Sequence, residues 1–484
     1  MRLSAYAPVL RIVGVLLIFI SLGFVPPLVF ALVNQDGAAG AFLVSLLVVT
    51  VTGLALFLPT RKAQRDLRIS DGFLVVVACW AAVCLAGAIP FVIGLDASLA
   101  DAVFESTSGI TTTGATVFSG IAEMPISIRW YRQQLQWMGG LGIIILAVAI
   151  LPMLRVGGMQ VYKAEATGPV KESRLTPRIA ETAKALWAIY IGLTLVCAAA
   201  YWAAGMSLFD AMSHSFSTVA TAGFSTHDAS IGHFDSALIE SVAVVFMLLG
   251  GMNFALHFLV FRRASFAPYR RDEEVRLYLV LLGAGSAIGV AYLLYAGVTG
   301  TVSEALRWGI FHAVSIGTTT GYATTDFYLW PGFLPLMLVF LSFVGGCTAS
   351  TGGGMKVIRV LLLGKQGLRE IQRLIHPHAH IAVKVNQKVM PNRVVEAVWG
   401  FMAAYILVFA VMVLLLMASG LDQVTSFSAV AGTLNNLGPG LGEVGPNYSS
   451  INDFSKWVLV FAMLLGRLEI FTVLVLLSPA FWRR

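Results

Sequence analysis

The sequence predicts an all-α polytopic membrane protein: four pseudo-symmetric helix–pore-loop–helix repeats around one pore, plus an N-terminal pair of transmembrane helices, about ten spans in all. Of the 484 residues, 58% are hydrophobic and 12% are charged, whereas soluble domains carry roughly 25% charged residues. The apolar runs are long enough to cross a bilayer. A polar, glycine-rich segment also recurs four times between such runs, which indicates an internal repeat.

The first predicted domain, residues 1–68, is a two-helix membrane unit. Its spans are residues 9–32, which Pro26-Pro27 bend or end, and residues 40–60. The first apolar run lacks a small-residue cleavage site after a short core, so we interpret it as a retained helix and not as a signal peptide.

Four pore repeats follow, with predicted boundaries at residues 69–178, 179–272, 273–392 and 393–484. The third repeat also contains a gating loop and a cytoplasmic loop. Each repeat has two spans, and these are predicted at 71–94 and 130–152, 182–204 and 236–261, 275–297 and 330–363, and 396–418 and 456–480.

A glycine-rich segment lies between the two spans of every repeat. Its central glycine recurs at intervals of about 100 residues. Irregular backbone at membrane depth is tolerated only where it lines a cavity or is buried in protein, so four such segments in register predict a filter. The predicted filter residues are Thr112, Thr113 and Gly114; Thr221, Ala222 and Gly223; Thr319, Thr320 and Gly321; and Asn436, Leu437 and Gly438. The fourth set departs from the Thr-x-Gly pattern of the others.

The composition of these segments indicates which ion they suit. They contain no carboxylate, whereas calcium and magnesium sites use carboxylates. The ligands would be main-chain oxygens, which suit a large, weakly hydrated monovalent cation. Thr319-Thr320-Gly321-Tyr322 also resembles the Thr-Val-Gly-Tyr filter of potassium channels, where backbone carbonyls replace the hydration shell of the ion.

A second glycine-rich run interrupts the predicted span 330–363. Small residues can allow close helix packing, but each Gly costs a helix roughly 1 kcal/mol relative to Ala. We therefore expect a flexible loop beneath the filter. The predicted gate residues are Gly345, Gly346, Thr348, Ser350, Gly352, Gly353, Gly354, Lys356 and Arg467.

Arg467 belongs to this predicted gate because an arginine in the middle of a span usually faces a cavity. A fixed cation there would repel a permeating cation. The alternatives are that Arg467 pairs with Glu469 or extends to the membrane surface.

The basic residues indicate the topology. Most of the 32 Lys and Arg fall in segments on one side, and Arg129, Arg132, Arg307 and Lys456 fall on the other. Positive charge marks the cytoplasmic side, which predicts cytoplasmic termini and explains the net charge of +7 without nucleic acid. The basic side can also attract an acidic partner or anionic membrane lipid.

The sequence gives little support for a metal site, a dinucleotide site or an enzyme. His376-Pro377-His378-Ala379-His380 has no Cys nearby and is better interpreted as a structural loop than as a metal site. The segment Gly438-Pro439-Gly440-Leu441-Gly442 lacks the strand and helix of a dinucleotide fingerprint, and no catalytic constellation is present, so we expect no enzyme. Ion-coupled symport with protons, sodium or chloride stays open, with Glu105 and Glu469 as candidate titratable groups in the path.

Five further sequence segments match one family in order. They are Thr112-Thr113-Gly114-Ala115, Gln136-Trp137-Met138-Gly139-Gly140, Thr221-Ala222-Gly223-Phe224, the run from Gly345 to Lys356, and Gly466-Arg467-Leu468-Glu469-Ile470-Phe471-Thr472. On these residues the chain resembles the Trk/Ktr/HKT superfamily of potassium transporters, and within it the bacterial TrkH branch. The resemblance implies potassium uptake by a homodimer in the cell inner membrane. It also implies a cytosolic TrkA-like regulatory ring of Rossmann-type domains, which binds the nucleotide, while this chain binds no cofactor.

Overall fold

The computed structural model describes residues 6–61, 68–145 and 175–483. Within these ranges the chain is helical throughout, apart from loops and one two-stranded antiparallel hairpin, β1 (Lys384–Val385) with β2 (Lys388–Val389). The end of the predicted span 130–152 and the basic segment that follows it lie outside the described residues.

The N-terminal unit contains α1 (Ala7–Ser21), α2 (Val25–Asn34) and α3 (Ala39–Thr60). A single 3₁₀ turn separates α1 from α2. The two prolines lie in the first turn of α2, where a missing backbone N–H leaves no helical bond unmade. The unit packs against the first repeat.

Each repeat has a long first helix, a short pore helix and a second helix. In the first repeat these are α4 (Ile69–Gly94), α5 (Leu99–Ile110) and α6 (Ile126–Ile145). In the second they are α7 (Leu175–Ala203), α8 (Leu208–Val219), and the pair α9 (Ala237–Gly251) and α10 (Phe254–Arg263), with the short α11 (Ala267–Arg271) after them.

The third and fourth repeats follow the same order. The third has α12 (Glu273–Tyr295), α13 (Val302–Gly317), and then α14 (Leu334–Val344) and α15 (Val357–Ile375). The fourth has α16 (Asn392–Ala418), α17 (Gln423–Leu434), the pair α18 (Asp453–Arg467) and α19 (Ile470–Leu477), and the terminal turn α20 (Pro479–Trp482).

The pore helices α5, α8, α13 and α17 begin in the same way. The side chains of Ser98, Ser207, Thr301 and Asp422 each accept a hydrogen bond from the backbone N–H three residues later. These caps satisfy donors that a helix start leaves free, so they fix where each pore helix begins.

Two of the predicted second spans are broken. The predicted span 236–261 bends by 99° between α9 and α10, and the span 456–480 bends by 115° between α18 and α19. At the first break, Gly250 and Gly251 turn their carbonyl oxygens to the backbone N–H groups of Thr351 and Cys347, at 3.3 and 2.8 Å. Partners from another repeat therefore satisfy the carbonyl groups at this break.

In the described residues, six spans have the length and hydropathy to cross a membrane, with α1 and α2 counted together, and each bent pair counts as one more. The remaining two of the ten predicted crossings are α6, which ends at the edge of the described residues, and α14, which has only 11 residues. α14 is short because the glycine-rich segment interrupts the predicted span 330–363 at Gly345.

Candidate functional site

The four predicted filter segments share one backbone conformation. The residue two positions before each glycine has a positive φ, between 48° and 61°: Thr112, Thr221, Thr319 and Asn436. The glycines Gly114, Gly223, Gly321 and Gly438 also have positive φ, between 82° and 100°. A repeated conformation that residues with a side chain rarely adopt indicates that neighbouring structure determines it.

The four segments contact one another in a closed ring. A Cβ atom built on Gly114 would lie 2.1 Å from the carbonyl oxygen of Ala222. Cβ atoms built on Gly223 and Gly321 would likewise lie 2.1 Å from the carbonyl oxygens of Thr320 and Leu437. A Cβ atom built on Gly438 would lie 2.6 Å from the carbonyl oxygen of Thr113. Each glycine therefore abuts the carbonyl before the glycine of the next repeat, and the four repeats surround one axis.

The pore helices end where the filter segments begin. In each repeat, the backbone N–H of the residue before the filter glycine donates to a carbonyl oxygen of the pore helix at 2.8–3.0 Å. The pairs are Thr113 to Ser108, Ala222 to Ser217, Thr320 to Ser315 and Leu437 to Gly432. The C-terminal end of a helix carries a partial negative charge. Four such ends around one axis favour a cation.

A cavity of about 430 Å³ lies against the ring. All four filter glycines line it. At its rim, the ring of His227 stacks on that of His233 with centroids 3.6 Å apart. Burial and the neighbouring His233 lower the pKa of His227.

The fourth segment uses different side chains to complete the ring. Asn436 donates from Nδ2 to Oγ1 of Thr113 and to the carbonyl of Met463, both at 3.0 Å. Leu437 is fully buried in an apolar cluster with Leu441. The departure from Thr-x-Gly therefore preserves the backbone, because the amide of Asn436 ties the fourth segment to the first.

Gln136 on α6 supports the filter from the neighbouring repeat. Its Nε2 donates to the carbonyl of Ala222 at 2.7 Å, and its Oε1 accepts from the N–H of Phe224 at 3.1 Å. Sequence reasoning cited Gln136 only as part of a family motif. A buried polar residue in the middle of a span was the available signal.

Glu105 lies behind the filter in a buried ion pair. Its carboxylate is 2.7 Å from Nη2 of Arg132 and accepts from the hydroxyl of Thr116 and the N–H of Val117. Arg132 also donates to the carbonyl of Ser225. The pair connects the first and second filter segments. Sequence analysis named Glu105 only as a titratable residue and did not predict this link.

The non-helical segment between α14 and α15, residues 345–356, lies directly beneath the ring and is called the intramembrane loop below. It bonds to three filter segments: the N–H of Gly353 to Oγ1 of Thr319 at 2.6 Å, Thr351 to Thr221 through their hydroxyls at 3.0 Å, and the N–H of Gly354 to the carbonyl of Asn435 at 2.9 Å. The predicted gate residues of this run therefore lie together beneath the axis.

Arg467 reaches the intramembrane loop from the fourth repeat. It is buried, and its Nη1 donates to the carbonyl of Thr351 at 2.9 Å. The alternative pairing with Glu469 is wrong, because Glu469 pairs with Arg359 at 2.6 Å. Lys356 bonds to the carbonyl of Gly352. These cations line a cavity of about 40 Å³ beneath the loop.

No group of three or more His, Cys, Asp or Glu side chains in the described ranges could hold a metal ion. The site combines a ring of backbone carbonyl oxygens with the buried Arg467 and Lys356 at the intramembrane loop.

Comparisons with known proteins agree with this geometry. Residues 39–484 match the TrkH family model, described as a cation transport protein. The chain is 53% identical to the Trk system potassium uptake protein TrkH of Halomonas elongata, over 98% of this chain and 99% of that protein. It is 48% identical to the protein of the same name in Escherichia coli K12, over 99% of both.

A solved structure is similar over the whole chain. The crystal structure of the potassium transporter TrkH from Vibrio parahaemolyticus superposes with a TM-score of 0.92 at 49% identity, covering 99% of this chain and 100% of that one. These relatives are membrane transporters and not enzymes. The chain belongs to the TrkH family of cation transport proteins.

Proposed function

We propose that this protein takes up potassium across the cell inner membrane through the four-segment filter, and that the intramembrane loop and Arg467 gate the path. The relatives from Halomonas elongata and Escherichia coli K12 are potassium uptake proteins. The observation that carries the proposal is the closed ring in which every filter glycine abuts a carbonyl of the next repeat.

The ring supports selection by backbone oxygens. Dehydrating an ion requires oxygens at fixed positions, and each carbonyl in the ring is held by a neighbour with no room for a side chain. The filter segments also lack carboxylates, which a site for a divalent cation would use.

The intramembrane loop supports gating. It bonds to the filter above and to Arg467 beneath it, so it occupies the path. The arginine is buried, and two of its guanidinium nitrogens have no hydrogen-bond partner. A cation in this place opposes the passage of another cation until the loop and the arginine move.

Passive movement is better supported than ion-coupled symport. The two carboxylates that sequence analysis offered for coupling, Glu105 and Glu469, are both paired with arginine. An arginine already occupies each carboxylate, so neither is a free site for a coupled ion in this arrangement.

The proposed assembly is a homodimer with cytoplasmic termini, regulated by a cytosolic TrkA-like ring that binds nucleotide. This part rests on the resemblance to the Trk system and on the basic residues of the predicted cytoplasmic side. The regulatory partner, not this chain, would carry the nucleotide site.

Growth of a bacterial strain without its own potassium uptake systems tests the proposed function. The full chain, expressed with the regulatory subunit, is expected to restore growth on low potassium. Expression alone is expected to restore it less well. Failure to restore growth when the protein is present in the membrane would contradict potassium uptake.

A further inference from the structure

Glu274, which has no role in the path described above, is a buried carboxylate at the start of α12. The residue is 6% exposed. One oxygen, Oε1, accepts three hydrogen bonds: from the N–H of Thr348 at 2.6 Å, from the hydroxyl of Thr348 at 3.0 Å and from the N–H of Ile358 at 3.2 Å. Thr348 lies within the intramembrane loop, and Ile358 lies in the first turn of α15.

These contacts hold the loop from a different repeat than Arg467 does. Glu274 binds near the start of the loop and just beyond its end, so one carboxylate joins both. Hydrogen bonds to a charged acceptor are stronger than neutral ones, and the negative charge also suits the positive N-terminal end of α15. Arg467 approaches the loop from the fourth repeat, whereas Glu274 belongs to the first helix of the third.

The start of α12 also contacts the hairpin formed by β1 and β2. Asn386 in the hairpin turn accepts from the N–H of Glu273 at 2.8 Å and donates to the carboxylate of Asp272 at 3.1 Å. Lys365 on α15 pairs with Glu273 and donates to the carbonyl of Lys384 at 2.6 Å.

Apolar packing joins the hairpin to α15 as well. Val383 and Val385 are buried in one cluster with Ile358 and Leu362. The hairpin therefore contacts both elements that Glu274 connects, the start of α12 and the start of α15.

We infer that Glu274 is a positioning residue that holds the intramembrane loop beneath the filter, and that the hairpin sets the position of Glu274. The inference rests on the proposed function and names a route for its regulation: displacement of the hairpin from the cytoplasm moves α12 and α15, and Glu274 then releases the loop. The hairpin is the part of this route that a cytosolic protein can reach.

Cys347 reports the loop position independently of transport. It is fully buried beside Thr348 and is the only cysteine in the loop. The experiment uses the full chain in membranes, with Cys79, Cys84 and Cys197 replaced by Ala, and measures the rate at which a small methanethiosulfonate reagent modifies Cys347.

Glu274→Ala is expected to raise that rate about tenfold or more, because three hydrogen bonds to one charge are lost. Glu274→Gln keeps an oxygen acceptor and is expected to restore most of the protection. Asn386→Ala is expected to raise the rate less than Glu274→Ala. Glu370→Ala removes a carboxylate from the exposed side of α15 and is expected to leave the rate unchanged.

An unchanged Cys347 rate in folded Glu274→Ala protein would overturn the inference. If Glu274→Ala does not fold, Thr348→Val, which loses the hydroxyl donor alone, takes its place with the same expected direction. Potassium flux is measured on the same proteins. A faster Cys347 reaction with unaltered flux would support the positioning role and contradict the loop as gate, whereas altered flux with an unaltered rate would overturn the positioning role and leave the proposed function intact.

Discussion

Gly321 shows how one missing side chain can serve ion selection. Its φ is +82°, and a Cβ atom would lie 2.1 Å from the carbonyl oxygen of Leu437. Two separate penalties apply to a replacement: the strained backbone conformation, which costs roughly 1 kcal/mol, and the displacement of a carbonyl of the neighbouring segment.

Gly321→Ser is therefore expected to admit sodium, because Leu437 must move away from the axis. The matched control is Gly297→Ser. Gly297 has a similar φ of +64°, but no atom lies within 4 Å of its Cβ position. The potassium-to-sodium permeability ratio in proteoliposomes should fall in the first variant and stay unchanged in the second. A preserved ratio in Gly321→Ser would contradict selection by carbonyls at this segment.

Gln136 gives a second prediction at this scale. Gln136→Leu leaves the carbonyl of Ala222 and the N–H of Phe224 without their partner, which costs about 1–3 kcal/mol for a buried group. The midpoint of thermal unfolding in detergent should fall. Gln133 is the control, because it is buried on the same helix and neither side-chain polar atom has a hydrogen-bond partner. Gln133→Leu should leave the midpoint equal or higher, and an equal loss in both variants would argue against a specific role for Gln136.

At the scale of elements, the intramembrane loop is the part that distinguishes this path from an open filter. Its contacts come from three filter segments, from Arg467 and from Glu274. The loop is irregular because glycines with positive φ, Gly345 and Gly354, turn the chain at its two ends. The break between α9 and α10 leaves the carbonyl oxygens of Gly250 and Gly251 to accept from the backbone N–H groups of Thr351 and Cys347 in the loop.

Arg467→Ala is expected to raise potassium flux about tenfold, since it removes a buried charge and a charged hydrogen bond worth about 1.5–3 kcal/mol to the loop. Arg467→Lys keeps the positive charge, so its flux should stay near that of the unaltered protein. Flux is measured in proteoliposomes as uptake of a potassium tracer. Equal flux in all three proteins would show that the arginine does not limit permeation.

At the scale of the whole molecule, the fourfold internal repeat was the strongest signal in the sequence. Four glycines about 100 residues apart located the filter, and the structure brings Gly114, Gly223, Gly321 and Gly438 into one ring. The predicted all-α membrane fold is confirmed by the helices and by the similarity to a solved structure.

What sequence reasoning missed depends on contacts between repeats. The runs 236–261 and 456–480 are apolar enough to span, and at the first break the carbonyl oxygens of Gly250 and Gly251 accept from backbone N–H groups of the intramembrane loop. Glu274 looks like an ordinary acidic residue in the first turn of a helix, because nothing local indicates that Thr348 lies above it. The partner of Glu469 proved to be Arg359, which lies over 100 positions away, and not the nearby Arg467.

The central claim is that four backbone segments form one passive, potassium-selective path. The most direct measurement is the zero-current potential of the purified protein in a planar bilayer, with a potassium gradient across it, sodium replacing potassium on the dilute side, and a proton gradient that can be imposed. We expect a potential at the potassium equilibrium value that does not move with the proton gradient. A potential near zero would contradict selectivity, and a potential that follows the proton gradient would contradict passive permeation.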